Sequence, residues 1–205
     1  MKLVIVDRDG TVCVEREGYI QTPDEWEPLP GALDAIARLN HAGFHVVIAA
    51  NMPGLGRGLF DMAALNAIHT KMAKQLAAIG ARIEAVFFCP HAPDDACGCR
   101  KPAPGLFHKI GERYKVDLKL VHAVGNSLND MLAAQAAGCQ PHLVLTGRHA
   151  PPAGERLPAG YPAATRVHAD LAEFATHFIA EQEAAAVVVA AGATSQAAAG
   201  AAAAH

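Results

Sequence analysis

The sequence lacks the features of exported, membrane-spanning and nucleic-acid-binding proteins. Its first residues, MKLVIVDRDG, contain a short apolar run that charge soon interrupts, so neither a signal peptide nor a membrane span is predicted. Lysine and arginine total 17 against 20 acidic residues, and no basic stretch is present that could neutralise the phosphates of a nucleic acid. We therefore expect a cytoplasmic protein that binds neither membranes nor nucleic acid.

Cysteine is scarce and unevenly placed. There are five cysteines, an odd number, and three of them fall close together at positions 89, 97 and 99. An odd count without an export signal argues against a disulfide framework, and the clustering is typical of a metal site. Cys13 and Cys139 stand apart, and we expect them to be small buried apolar residues.

Charged residues make up 18% of the chain and hydrophobic residues 52%, which allows a sizeable core in 205 residues. Short apolar runs alternate with helical patterns along the chain. Strands are predicted at 3–6, 45–49, 83–88, 120–124 and 142–145, helices at 32–40, 61–79, 105–114 and 128–137, and a last strand and helix within 167–181. This alternation predicts βαβ units and a mostly parallel sheet, that is, an α/β fold.

The domain organisation follows from composition. We expect a single domain over residues 1–181, with a proline- and glycine-rich loop at 146–164. We expect residues 182–205 to form an alanine-rich, low-complexity tail without chemistry of its own, because the sequence from 184 to 205 is almost entirely alanine with some valine and glycine.

Polar side chains follow several of the predicted strands. In parallel sheets ligands bind beyond the carboxyl ends of the strands, where Asp7, Asn51 and Asn126 would lie. Asp7 and Asp9 are separated by one residue and precede a turn at Gly10. One carboxylate of such a pair can attack phosphorus and the other can transfer protons, with a hard divalent cation offsetting their repulsion of phosphate. The alternative is a solvated loop, which the buried strand before the pair disfavours.

The run Asp7-Arg8-Asp9-Gly10-Thr11 resembles the first motif of the haloacid dehalogenase (HAD) superfamily. The resemblance implies a Rossmann-like three-layer α/β/α sandwich. It also implies that Asp7 is the nucleophile and a Mg²⁺ ligand, and that Asp9 is the general acid and base, with its backbone carbonyl on the metal.

A second group of residues has the chemistry of a zinc site. Cys89, His91, Cys97 and Cys99 offer three thiolates and one imidazole, a set that matches a closed tetrahedral Zn²⁺ site. With no open coordination position, the zinc would be structural and would order its loop. The alternative, four unrelated free side chains, fits the spacing and the nearby proline and glycine poorly.

The zinc loop continues into Arg100-Lys101-Pro102, followed by Pro104 and Gly105. We expect Lys101 to act as a point charge on the phosphoryl group and Arg100 to donate to substrate. An Arg-Lys pair on a solvated surface is the alternative.

The whole block resembles one branch of the superfamily, the heptose 1,7-bisphosphate 7-phosphatases and the related histidinol-phosphate phosphatases. The resemblance implies no large cap domain, which agrees with the short gap from Asp9 to Asn51. Three loops would shape the substrate pocket instead: one at Gly18 and Tyr19, one at 51–58 with Asn51 and Arg57, and the zinc loop.

The chain departs from the pattern of this branch at two catalytic positions. Ala50 stands where the second motif has a hydroxyl that hydrogen-bonds the phosphoryl group, and Met52 and Pro53 replace further polar groups. Asn126 stands where the fourth motif has an aspartate on Mg²⁺, so a ligand charge is lost, and Asp130 lies one helical turn further on. These losses predict weaker Mg²⁺ binding and slower turnover.

These observations lead to one main hypothesis and two alternatives. We expect a monomeric, Mg²⁺-dependent phosphatase with a structural Zn²⁺ that removes the 7-phosphate of a heptose 1,7-bisphosphate through an aspartyl-phosphate. Histidinol phosphate is the second choice of substrate. A catalytically impaired phosphosugar-binding protein is the alternative that Ala50 and Asn126 favour.

Overall fold

One parallel sheet of six strands forms the centre of the fold. The computed structural model describes residues 1–152, 154 and 156–202, with side chains described up to 188. The strands run in the order β3-β2-β1-β4-β5-β6, and every neighbouring pair is parallel. Their bounds are β1 (Lys2–Val6), β2 (Phe44–Asn51), β3 (Ala85–Cys89), β4 (His122–Gly125), β5 (Gln140–Val144) and β6 (Arg166–His168). The predicted α/β class is confirmed.

Helices cover both faces of this sheet. They are α1 (Ala32–His41), α2 (Pro53–Gly56), α3 (Met62–Ala78), α4 (Gly105–Tyr114), α5 (Leu128–Ala137) and α6 (Leu171–Ala202). Successive side chains of β1 point to opposite faces of the sheet. Val4 and Val6 pack into the core beneath α1, α3 and α6, whereas Leu3 and Ile5 pack into the core beneath α4 and α5. The result is the expected three-layer sandwich, and no large cap lies over it.

Local sequence sets most helix boundaries. Asp61 caps α3, because its carboxylate accepts a hydrogen bond from the backbone N–H of Ala64 at 2.8 Å. The four-residue helix α2 was expected as loop; it begins at Pro53, whose fixed φ suits the first helical position. Gly56 ends this helix against the zinc loop, where a Cβ would collide with the backbone of Pro90 and Ala92.

The last helix runs through the predicted boundary between domain and tail. Helix α6 begins at Leu171 and continues to Ala202, and its first turns bury Leu171, Phe174 and Phe178 against the sheet. Residues 203–205 lie outside the described part of the chain. Within the described residues, no helix combines the length and the apolar character that crossing a membrane requires.

Three buried histidines form a hydrogen-bonded row across β4, β5 and β6. His122 Nδ1 lies 2.8 Å from His142 Nε2, and His142 Nδ1 lies 3.0 Å from His168 Nε2. His168 Nδ1 is buried and has no hydrogen-bond partner among the described residues. Because an unpaired lone pair costs less than an unpaired N–H, this nitrogen is the one without the proton. The Nε2–H of His168 therefore donates to His142, and the Nε2–H of His142 donates to His122. Phe174 and Phe178 of α6 pack on these rings.

We expect this row to make the protein sensitive to acid. Burial lowers the pKa of His122 to about 4 and, together with the neighbouring histidines, that of His142 to about 2, while burial and Arg166 lower the pKa of His168. Histidine in the unfolded chain has a pKa near 6.5, so below about pH 6.5 the unfolded chain binds protons that the folded chain does not. The free energy of unfolding should fall by up to roughly 1 kcal/mol per pH unit for each histidine as the pH drops from about 6.5 towards 4.

Urea unfolding at a series of pH values measures this slope. His142→Phe should make it shallower, and His108→Phe, a change at an exposed position on α4, should leave it unaltered. An equal slope in His142→Phe and the wild type would refute the assignment of the acid sensitivity to this row.

Candidate active site

The candidate site lies at the carboxyl edge of the central strands. Asp7 follows β1, Asn51 ends β2 and Asn126 follows β4, and these three strands are neighbours in the sheet. The backbone N–H of Asp7 donates to the carbonyl of Val124 at 2.8 Å, which fixes the start of the Asp7 loop on β4. The parallel topology thus brings together three positions that are far apart in sequence.

Lys101 is the buried cation at the centre of the site. Its Nζ lies 2.7 Å from Asp7 Oδ1, 2.6 Å from Asp130 Oδ1 and 2.7 Å from the carbonyl oxygen of Ala49, so three acceptors hold the ammonium group. Asp130 is itself fixed, because its Oδ2 accepts from both the hydroxyl and the N–H of Ser127 at the start of α5. The ammonium group of Lys101 is therefore held next to Asp7 with little freedom to move.

The buried charges shift one another's pKa. Burial raises the pKa of Asp7 to about 7, with the carboxylates of Asp130 and Asp9 acting in the same direction and Lys101 opposing them. Burial lowers the pKa of Lys101, but Asp130 and Asp7 more than offset this, so the net pKa lies above the usual value for lysine. The site therefore needs a further positive charge to keep Asp7 fully ionised at neutral pH.

Asn51 ties the end of β2 to the loop that carries Lys101. Its side-chain Oδ1 accepts from the backbone N–H of Lys101 at 3.0 Å, and its Nδ2 donates to the carbonyl of Lys101 at 3.1 Å. The residue was predicted to bind substrate, and in this structure its amide instead fixes the backbone of the lysine while its surface lines the pocket.

Asp9 is held by three donors. Nε and Nη2 of Arg8 bind its two oxygens at 2.9 and 2.8 Å, and the thiol of Cys13 donates to Oδ1 at 3.3 Å. Arg8 also contacts Nε2 of His69 on α3 at 3.4 Å. Because arginine only donates, Nε2 of His69 accepts and the ring proton lies on Nδ1, and burial together with Arg8 lowers the pKa of His69 to about 4.

Asn126 lies beneath the turn at Gly10. It is buried, its Nδ2 has no hydrogen-bond partner among the residues that the structure describes, and a Cβ on Gly10 or on Gly147 would collide with its amide. Gly10 has φ +79°, which is a second reason for glycine at this turn. The side chain thus fills the space under the Asp7–Asp9 loop.

A pocket of about 720 Å³ opens above these residues. Among the predicted site residues, Asp7, Asp9, Tyr19, Asn51, Arg100 and Lys101 line it. Gly18, Arg57 and Asn126 are not part of the lining, although Arg57 Nη1 donates to the hydroxyl of Tyr19 at 3.1 Å and so supports the wall. Nη1 of Arg100 is buried and has no hydrogen-bond partner within the described residues.

The four predicted metal ligands converge at the end of β3. The ligand atoms of Cys89, His91, Cys97 and Cys99 all lie within 4.8 Å of one another. The Sγ atoms of Cys89 and Cys97 are 3.7 Å apart, and His91 Nδ1 lies 3.4 Å from Cys89 Sγ and 3.3 Å from Cys99 Sγ. These separations match the edges of a tetrahedron around an ion bonded to sulfur at about 2.3 Å.

Comparison with known proteins agrees with this geometry. Residues 98–174 match the model of a family described as HAD-hydrolase-like. The chain is 52% identical over 183 residues to the D-glycero-beta-D-manno-heptose-1,7-bisphosphate 7-phosphatase of Bordetella bronchiseptica, covering 88% of this chain and 99% of that protein. The chain belongs to the heptose-bisphosphate phosphatase family of the HAD superfamily.

A second relative and a solved structure match a similar share of the chain. The D-glycero-beta-D-manno-heptose-1,7-bisphosphate 7-phosphatase of Pseudomonas aeruginosa is 44% identical over 174 residues, covering 85% of this chain and 96% of that protein. The crystal structure of the B. bronchiseptica D,D-heptose 1,7-bisphosphate phosphatase, complexed with magnesium and phosphate, superposes with a TM-score of 0.81 at 49% identity, covering 88% of this chain and 99% of that one. The family resemblance and the fold inferred from the sequence are confirmed.

Several residues of the heptose-bisphosphate phosphatase pocket were missed by sequence reasoning. Three residues of the predicted loop 146–164 line the pocket: Arg148, His149 and Tyr161. Glu15, in the loop after β1, joins the two loops by accepting a hydrogen bond from the backbone N–H of Arg148 at 2.9 Å. No local motif marks them, since loop residues are placed by tertiary contacts. From the sequence alone, Arg8 is identified only as part of the first motif, although an arginine two residues after a buried strand is a signal for a buried ion pair.

Proposed function

We propose that this chain is a Mg²⁺-dependent phosphomonoesterase that removes the 7-phosphate of D-glycero-D-manno-heptose 1,7-bisphosphate. The observation that carries the proposal is the buried Asp7–Lys101–Asp130 group, above which the pocket opens. The 52% identity to a phosphatase named for this substrate supports the choice of substrate. A small phosphorylated sugar fits the open pocket better than a polymer does. We further propose a cytoplasmic, monomeric enzyme.

Each side chain has a role that its position supports. Asp7 attacks the phosphorus and forms an aspartyl-phosphate, while Lys101, held 2.7 Å from Asp7, stabilises the charge on the transferring phosphoryl oxygens. Asp9 protonates the leaving sugar oxygen and then activates the water that hydrolyses the intermediate. Arg100, which lines the pocket, binds the remaining phosphate or the sugar.

The donor atoms in the site suit a magnesium ion. Asp7, the carbonyl of Asp9 and the side-chain carbonyl of Asn126 offer the oxygen ligands that Mg²⁺ prefers. A cation held there would oppose the burial that raises the pKa of Asp7. When bound, the ion neutralises charge on the phosphoryl group.

The substrate is tested by assaying purified chain with heptose 1,7-bisphosphate and with histidinol phosphate, each with Mg²⁺. We expect release of one phosphate from the 7-position of the heptose at a kcat/KM at least tenfold above that for histidinol phosphate. Preference for histidinol phosphate would overturn the substrate assignment, and turnover of neither would overturn the proposal of an enzyme.

An impaired phosphosugar-binding protein is the second candidate. Ala50 supplies no hydroxyl at the end of β2, and Asn126 supplies no charge. Heptose 1,7-bisphosphate that binds tightly but is not hydrolysed would favour this candidate over the enzyme.

We further propose that the Cys89–His91–Cys97–Cys99 cluster holds a structural Zn²⁺. The purified protein should then contain one zinc per chain by elemental analysis. Cys97→Ser should lose the metal and lower kcat by at least tenfold, because Lys101 follows the cluster directly and depends on the order of its loop. Cys139→Ala, a change to a buried cysteine outside the cluster, should keep the zinc. A metal-free wild type with full activity would exclude the role.

A further inference from the structure

Arg8 is a buried cation next to the candidate nucleophile. It follows Asp7 on the chain, and its side chain reaches His69 on α3 while Asp7 lines the pocket. Its exposed fraction is 1%, the lowest of the charged side chains around the site. A guanidinium in such a place needs a compensating partner.

The partner is the carboxylate of Asp9. The fork formed by Nε and Nη2 of Arg8 binds both oxygens of Asp9, a geometry that fixes the plane of the carboxylate as well as its position. Among the described residues, Asp9 is the one acidic side chain that pairs with Arg8. The orientation of Asp9 therefore depends on where Arg8 is held.

His69 holds the other end of the guanidinium. Its Nε2 accepts from Nη1 of Arg8 at 3.4 Å, and the ring sits on α3, an element rooted in the core through Leu65 and Met72. A chain of contacts thus runs from a rigid helix through His69 and Arg8 to Asp9, which itself lines the pocket.

Folding alone does not call for this arrangement. Removing two charges from water costs several kcal/mol per ion, and apolar side chains of similar size often replace a buried ion pair without loss of stability. A fixed carboxylate does matter for proton transfer, which depends on a donor placed within hydrogen-bond distance of the leaving oxygen.

We propose that Arg8 and His69 are positioning residues that set the orientation of Asp9 for proton transfer to the leaving sugar oxygen. This inference rests on the proposed function. It assigns a purpose to two residues that are not themselves part of the pocket lining.

The test compares two leaving groups. A sugar oxygen leaves only when it is protonated, whereas p-nitrophenolate leaves without a proton. Arg8→Met should therefore lower kcat/KM, which covers only the steps up to departure of the leaving group, by ~100-fold for heptose 1,7-bisphosphate, within the range for general acid catalysis. The kcat/KM for p-nitrophenyl phosphate should fall less than fivefold, because hydrolysis of the aspartyl-phosphate, which is common to both substrates, does not enter this quantity.

His69 provides a second and gentler pair of variants. His69→Leu should show the same selective loss at about tenfold, and His69→Gln, whose amide oxygen can accept from Arg8, should restore most of the activity. His45→Gln is the matched control, because this half-buried histidine pairs with Glu84, away from the site. Equal losses on the two substrates, or no loss, would overturn the proposal.

Crystal structures separate this proposal from the proposed function. If the wild type hydrolyses neither substrate, the proposed function fails, and the orientation of Asp9 still tests the positioning. We expect its carboxylate to be displaced in Arg8→Met and in His69→Leu but not in His69→Gln. An unmoved Asp9 in the first two variants would overturn the positioning role whatever the activity.

Discussion

Asp7→Asn is expected to lower kcat for heptose 1,7-bisphosphate by on the order of 10⁴-fold or more, the size of loss seen when a covalent nucleophile is removed. The amide cannot attack phosphorus to form the acyl phosphate. It keeps the size of the side chain and an oxygen that can accept from Lys101 Nζ, so the 2.7 Å contact in the wild type need not be lost. Steady-state phosphate release measures the effect.

The matched control is Asp34→Asn, at an exposed position of α1, which should keep wild-type kinetics. Circular dichroism of both variants should show an unchanged fold. Asp7→Asn with more than a hundredth of the wild-type rate would mean that another group performs the attack.

The second large effect is expected from restoring the two catalytic positions that differ from the family pattern. Ala50→Thr returns a hydroxyl near the phosphoryl group, and one such donor contributes on the order of 3 kcal/mol, or about 100-fold in rate. Asn126→Asp returns a charge to a position that is 2% exposed. The double variant should turn over about 100-fold faster than the wild type at saturating Mg²⁺.

The Asn126→Asp change also has a readout that does not depend on activity. Without Mg²⁺ the new carboxylate adds a charge at a buried position and should lower the melting temperature, whereas Mg²⁺ should raise it by more than in the wild type. Asn66→Asp, at an exposed position of α3, is the control. If neither rate nor Mg²⁺ response changes, Ala50 and Asn126 do not limit this enzyme.

The fold was predictable because the spacing of apolar residues along the sequence indicates which side chains are buried. The runs Leu3–Val6 and Gly105–Tyr114 match β1 and α4 within a residue, since a strand buried on both faces must be apolar throughout and an amphipathic helix repeats every turn. Helix α2 was not predicted because a four-residue helix has no period to read. Strand β5 begins at Gln140, two residues before the predicted start, because backbone pairing extends beyond the apolar run.

The site was predictable where a single short stretch of the sequence supplies the functional residues. The spacing of Asp7 and Asp9 and the cluster from Cys89 to Cys99 can be read from the sequence, because one loop supplies each set. The contacts of Arg8 with His69 and of Glu15 with Arg148 cross more than fifty positions of the chain, and only the folded structure brings them together. The roles assigned to the site residues stay predictions until the variants are measured.

The most direct test is to trap the phosphorylated enzyme during turnover of heptose 1,7-bisphosphate. Rapid quenching followed by borohydride reduction converts an aspartyl-phosphate into homoserine, which peptide mass spectrometry locates on the chain. The account predicts homoserine at position 7 and none at position 9 or 130. Homoserine at another carboxylate, or none in an enzyme that is turning over, would contradict the account.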